Sequence, residues 1–421
     1  MKVALINAEW LPVPPVLGGP VEETLYETAI SIRNPELTVI SPWADALRKT
    51  PIQPSGIFYH VDIPAQKKSV MDLMGDRAPP AMQNPGTAEY FCYLNGATDL
   101  LHEMDPDVIQ VHNRAEFVPY FLKQFPHKRL ILYMHNEARY SNGYLKEAVQ
   151  RLDHLIFVSR YLARRFLDHF PEAENKSTVV YNSVNTTVWH PKLKAHPQTD
   201  AIRKTFGLCP GRTVLFMGRT VPAKGLSFLL EAMDRVRQKL PGVKLLVAGS
   251  PFFKAATTNP FLKALKKRAS KMKDTVVFTG YIDHHKTPYI YAAADVTVVP
   301  SIWGEPFGKV VVESMATGVP VIGSRRGAIP EIVEDGVNGI LINNPKNTGR
   351  LADQILELLN DATCREKMGV LARQRVETTF SKPIRMARMR TFYESQFACS
   401  SNSYAGPGEP EKAPVNEKEA G

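Results

Sequence analysis

Four cysteines in 421 residues, with no C-x-x-C pair among them, are too few and too scattered to frame a zinc site or a disulfide scaffold. A reducing compartment is implied, and the cytoplasm is the expected one. Long hydrophobic runs are missing as well. No stretch approaches the roughly 18 apolar residues of a membrane-spanning helix, and MKVALINAEW lacks the roughly 7–15 apolar residues of a signal-peptide core. No D-x-D triplet stands at the carboxyl end of a strand candidate, so a divalent ion held in that way is not expected. What is present is 44% hydrophobic and 22% charged residues, which excludes a wholly disordered chain, and the length suits two domains.

Charge is unevenly spread. The chain has 52 Lys and Arg against 42 Asp and Glu, a net charge of +10. Residues 1–190 carry −3 and residues 191–399 carry +15, so the second half is the basic one. Such a surplus favours an anionic ligand, whether nucleic acid, a phosphorylated small molecule or an acidic surface. The cationic run KALKKRASKMK (263–273) fits one helix with Leu262, Leu265, Ala269 and Met272 as its buried stripe. It has no interleaved aromatic residues to stack bases, so no nucleic-acid partner is expected.

Strand-length apolar runs alternate with amphipathic segments almost end to end. KVALIN (2–7), LTVIS (37–41), IFYHVDI (57–63), DVIQVHN (107–113), LILYMHN (130–136), HLIFVS (154–159) and TVVYN (178–182) are the first-half strands. TVLFMGR (213–219), VKLLVAG (243–249), TVVFTGY (275–281), VTVVP (296–300), VPVIG (319–323) and GILI (339–342) repeat the plan. The alternation predicts an α/β chain of two doubly wound parallel-sheet domains in tandem with a cleft between them. The expected units are residues 1–185 and 191–380, divided within the polar, proline-bearing segment 182–200. Residues 64–87 read as a long loop, and 400–421, which lacks apolar residues to bury, as a disordered tail.

The richest segment is VTVVPSIWGEPFGKVVVESMATGVPVIG (296–323). A buried strand ends in SIWGEPFG, and a helix begins near Lys309, so its unpaired N–H groups sit where open α/β sheets bind ligands. Glu305 and Glu313 stand eight residues apart there and could accept from sugar or ribose hydroxyls, or could be a loop acid and a solvent-facing acid. Arg219 and Lys224 follow the strand at 213–219 and precede Gly225, where cations could clamp a diphosphate or simply be solvated. Gly18 and Gly19 precede the first helix, as a close-approach site or a plain turn. His112 and His135 each close a strand and could donate to a substrate or serve the fold.

Taken in order, GGPVEETL, DVIQVHNR, FVSRYLARRF, VVYNSVNTTVWHP, FMGRTVPAKG, YAAADVTVVPS, EPFGKVVVE, the A-x-G-x-P-V-I-G run and PEIVEDGVNGILI resemble the family 4 retaining glycosyltransferases, through about residue 398. EPFGKVVVE is similar to that family's E-x7-E motif. The resemblance implies the GT-B fold, with an acceptor-side first domain, a donor-binding second domain and a C-terminal helix, 383–398, returning to the first. It also implies that Arg219 and Lys224 hold the donor diphosphate, with Gly18 and Gly19 facing it. Glu305, Pro306, Phe307, Gly308 and Lys309 would contact the transferred sugar, Glu313 the ribose, and the Tyr281–Ile282 segment the base. His135 would approach the sugar. Glu305, His135, Arg219 and Lys224 form the implied catalytic set, with no metal and no cofactor. The expected donor is a nucleotide-diphosphate sugar, with UDP-sugar the first choice. The acceptor would be a sugar or glycoconjugate hydroxyl in polysaccharide or glycolipid synthesis, a role compatible with peripheral contact at the inner membrane face. The alternatives are a non-catalytic coat protein and a sugar-nucleotide epimerase or phosphorylase of the same fold.

Overall fold

A computed structural model describes residues 2–17, 19–32, 36–49, 57–63, 85–137, 144–250 and 260–398. The expectations for Gly18, for the loop through residue 84 and for the 400–421 tail lie outside the described residues. Residues 85–87 belong to the helix Pro85–Met104 and not to that loop, since proline is tolerated in a helix's first turn.

Seven parallel strands form the first sheet: β1 (Lys2–Ile6), β2 (Glu36–Pro42), β3 (Phe58–Val61), β4 (Val108–His112), β5 (Arg129–Met134), β6 (His154–Phe157) and β7 (Ser177–Val179). Their spatial order is β3-β2-β1-β4-β5-β6-β7. Six parallel strands form the second: β8 (Thr213–Met217), β9 (Lys244–Ala248), β10 (Val276–Gly280), β11 (Val296–Val299), β12 (Val321–Ser324) and β13 (Gly339–Ile342), in the order β10-β9-β8-β11-β12-β13. The strands read as continuous apolar runs because helices cover both faces of a parallel sheet; Val3 through Ile6 are all fully buried.

In each sheet the order reverses beside the first strand, between β1 and β4 and between β8 and β11. Loops leaving the carboxyl ends of those strands diverge there, which opens a crevice for ligand. Every strand expected from the sequence is present, with ends within a few residues.

The helix Lys382–Ala398 lies against the first sheet. Its Met389 and Tyr393 are fully buried, Phe392 meets the His154 ring at 4.9 Å between centroids, and Arg385 Nη2 donates to Thr28 Oγ1 at 2.8 Å. Val184 and Ser381 bridge just before it, so the chain crosses back at one place.

Candidate active site

The loops after β8 and β11 face each other because those strands are neighbours at the reversal. Lys224, in the short turn Pro222–Lys224, donates from Nζ to Glu305 Oε1 at 2.6 Å. The same oxygen accepts from Ser301 Oγ at 2.5 Å and from Trp303 Nε1 at 3.0 Å. Three donors on one oxygen of this buried carboxylate fix its position. Gly327 makes this loop possible: at φ 61° it lies so close to the Glu305 backbone that a Cβ would collide with it, and Ala328 N donates to Glu305 O at 2.8 Å. Arg219 is exposed and lines the same cavity.

That cavity has a volume of about 560 Å³ and is walled by both sheets' loops. From the second sheet it receives Arg219, Lys224, Glu305, Pro306, Phe307, Gly308 and Lys309; from the first, Gly19, Glu22, His135 and Asn113. Asn113, at φ 58°, accepts at Oδ1 from the backbone N–H groups of His135 (3.2 Å) and Asn136 (2.8 Å), which turns the loop after β5. Burial, and secondarily the Arg385 charge, lower His135 to about 3, so its imidazole is neutral at physiological pH. The wall also holds a carboxyl to which sequence reasoning gave no role. Glu22 is buried, accepts from Asn7 Nδ2 at 3.2 Å and is raised by burial.

A second cavity, about 500 Å³, adjoins the first through Gly19, Pro20 and Lys309 and is lined by Tyr281 and Glu313. Glu313 is buried and accepts from Tyr291 OH at 2.8 Å; burial raises its carboxyl despite the nearby Lys309 charge. The Ile282 side chain lines neither cavity, because it packs against the apolar core.

Lys309 reaches across to the first half and pairs with Glu23, which also accepts from His284 Nε2 at 3.2 Å. Neither Glu23 nor His284 stood out in the sequence, since both sit in ordinary polar segments and meet only in three dimensions. Burial by itself lifts the Glu23 carboxyl, but Lys309 and His284 outweigh it and hold it at about 2. The hydrogen bond to Glu23 raises His284 against the opposing effect of burial. A raised histidine contributes fully below its ordinary value near 6.5 and loses that contribution as pH climbs through the raised value. Glu23 behaves oppositely, losing its contribution only as pH falls from its ordinary range of about 4.3 toward 2. The melting-temperature difference between the parent and His284→Gln is therefore expected to peak around pH 5–6 and to shrink by about pH 8. A pH-independent difference would contradict this linkage.

Two parallel sheets meet over a cavity lined by cations, a fixed carboxylate and a neutral imidazole, the arrangement that the resemblance to the GT-B fold implies. Residues 199–375 match Glycosyl transferases group 1, and residues 38–188 match Glycosyltransferase Family 4. The spore coat protein SA of Bacillus subtilis is 31% identical over 388 residues, covering 90% of this chain and 96% of that protein. The lipopolysaccharide 1,2-N-acetylglucosaminetransferase of Salmonella typhimurium is 26% identical over 286 residues, 68% of this chain and 71% of the enzyme. Among solved structures, Anabaena Alr3699/HepE in complex with UDP superposes with a TM-score of 0.73 at 20% identity, covering 94% of this chain and all of that one. The chain belongs to the family 4 glycosyltransferases.

Proposed function

We propose that the protein transfers a hexosyl unit from a nucleotide-diphosphate sugar to an acceptor hydroxyl with retention of anomeric configuration, and without a metal ion. The observation that carries this reading is the convergence of Lys224, Arg219, Glu305 and His135 on one cavity at the reversal points of two sheets. An ammonium has three N–H donors, so Lys224 can keep Glu305 and still meet a phosphate oxygen; Arg219 supplies the second cation. Both stabilise the diphosphate as negative charge develops on it. Glu305, held by three donors, orients the sugar, and neutral His135 donates to it. An acceptor hydroxyl on the leaving-group face attacks as the diphosphate departs, and its proton passes to a departing phosphate oxygen. Uridine is the proposed base, supported by the structural likeness to a protein solved with UDP. The proposed acceptor is a surface polysaccharide or glycolipid, supported by the lipopolysaccharide-building relative.

With cations in place of an ion, transfer is expected to persist in EDTA, and NMR of the product is expected to show the donor's anomeric configuration. Activity abolished by EDTA and restored by Mn²⁺ or Mg²⁺ would overturn the cation clamp. An inverted product would overturn retention, and would direct attention to Glu22 as a base.

Glu313→Gln is expected to weaken nucleotide binding by roughly tenfold, as for loss of one charge-assisted hydrogen bond, measured by calorimetry. Unchanged affinity would remove Glu313 from the ribose role.

A further inference from the structure

The His135 Nδ1 atom is buried and has no hydrogen-bond partner among the described residues, while its other ring nitrogen ends a buried chain of polar groups that begins on the C-terminal helix. Tyr393 OH lies 3.1 Å from Gln110 Oε1; Gln110 Nε2 lies 2.7 Å from His112 Nε2; His112 Nδ1 lies 3.0 Å from His135 Nε2. Each link constrains the next. If the phenol donates to the Gln110 oxygen, the amide N–H₂ must donate to His112, whose Nε2 is then a bare acceptor. A neutral His112 consequently carries its proton on Nδ1 and donates it to His135 Nε2. A neutral His135 is left with its proton on Nδ1, the buried atom without a partner among the described residues, on a residue that lines the cavity.

Arg385, one turn into the same helix, adds a buried positive charge to this region. The residue is 2% exposed and donates from Nη2 to Thr28 Oγ1 at 2.8 Å. Its charge disfavours a second positive charge on His112 and His135. Burial and this charge keep both imidazoles neutral.

We infer that Tyr393, which lies outside the cavity, is a positioning residue that acts through Gln110 and His112 to fix His135 as a neutral imidazole with its proton on Nδ1, ready to donate to an oxygen of the bound sugar or phosphate. That last role rests on the proposed transferase reading; the tautomer does not. The C-terminal helix thereby does more than cover the first sheet, because it selects which nitrogen of a cavity residue is a donor.

The test is long-range ¹H–¹⁵N NMR on full-length protein labelled at histidine ring nitrogens. The expected result is a neutral Nδ1–H tautomer at His135; an Nε2–H tautomer or an imidazolium at neutral pH would overturn the inference. Gln110→Glu removes the amide donor, so His112 must donate from Nε2 and His135 must reverse to Nε2–H. Tyr393→Phe leaves the ring in place and frees the amide to turn, giving a mixture of tautomers. Unchanged tautomers in both variants, with melting curves showing that they are folded, would refute the relay. With a nucleotide sugar that supports turnover, Gln110→Glu is expected to lower kcat roughly tenfold to a hundredfold with little change in KM, as for loss of a correctly protonated group. Absence of turnover with every nucleotide sugar would defeat the transferase reading and leave the tautomer result standing.

Discussion

Glu305→Gln and Lys224→Ala are each expected to lower turnover by about a hundredfold or more, the scale on which a preorganised electrostatic contact to the transition state is lost. Glutamine preserves the volume and can still accept from Ser301 and Trp303, so the loop should keep its shape while the charge opposite Lys224 disappears. Lys224→Ala removes the ammonium that lies 2.6 Å from Glu305 and leaves the carboxylate with its two remaining donors. Melting temperatures near that of the parent would establish that both variants are folded. Near-parental rates in both would remove these residues from the chemistry.

Ending the chain at residue 380 is expected to prevent folding. The deletion removes Met389 and Tyr393, both fully buried, together with Met386 and Phe392, each 5% exposed. Truncating single buried residues of this kind costs about 2–5 kcal/mol apiece, and a whole domain is stable by only about 5–15 kcal/mol. Losing four together, about 8–20 kcal/mol, matches or exceeds that margin. The deletion also exposes the part of the first sheet at Gln110 and His154 that Tyr393 and Phe392 cover. A soluble 1–380 chain with a cooperative melt and parental turnover would contradict the packing described for this helix.

The fold was legible because parallel strands buried on both faces leave unbroken runs such as KVALI and VTVV, and helices between them leave amphipathic spacing. The site was legible where one loop carries several chemical groups in sequence, as Ser301–Lys309 does. It was not legible where partners come from separate halves. Glu23 reads as one of two acids in a helix's first turn, and only folding brings it to Lys309 and His284. Gly327 was hidden for a different reason, since its close approach to the Glu305 backbone is a tertiary contact with no local pattern. The chain from Tyr393 to His135 joins residues 283, 2 and 23 positions apart, and no periodicity marks such a path.

The most direct measurement is the melting temperature of the full chain against UDP-, GDP-, ADP- and dTDP-sugars, because a ligand that binds only the native state raises the melting temperature according to its affinity. A UDP-sugar is expected to raise it by several degrees, with the shift lost in Lys224→Ala combined with Arg219→Ala. No shift with any nucleotide sugar, or a shift indifferent to Lys224 and Arg219, would contradict nucleotide-sugar binding in the cavity between the two sheets.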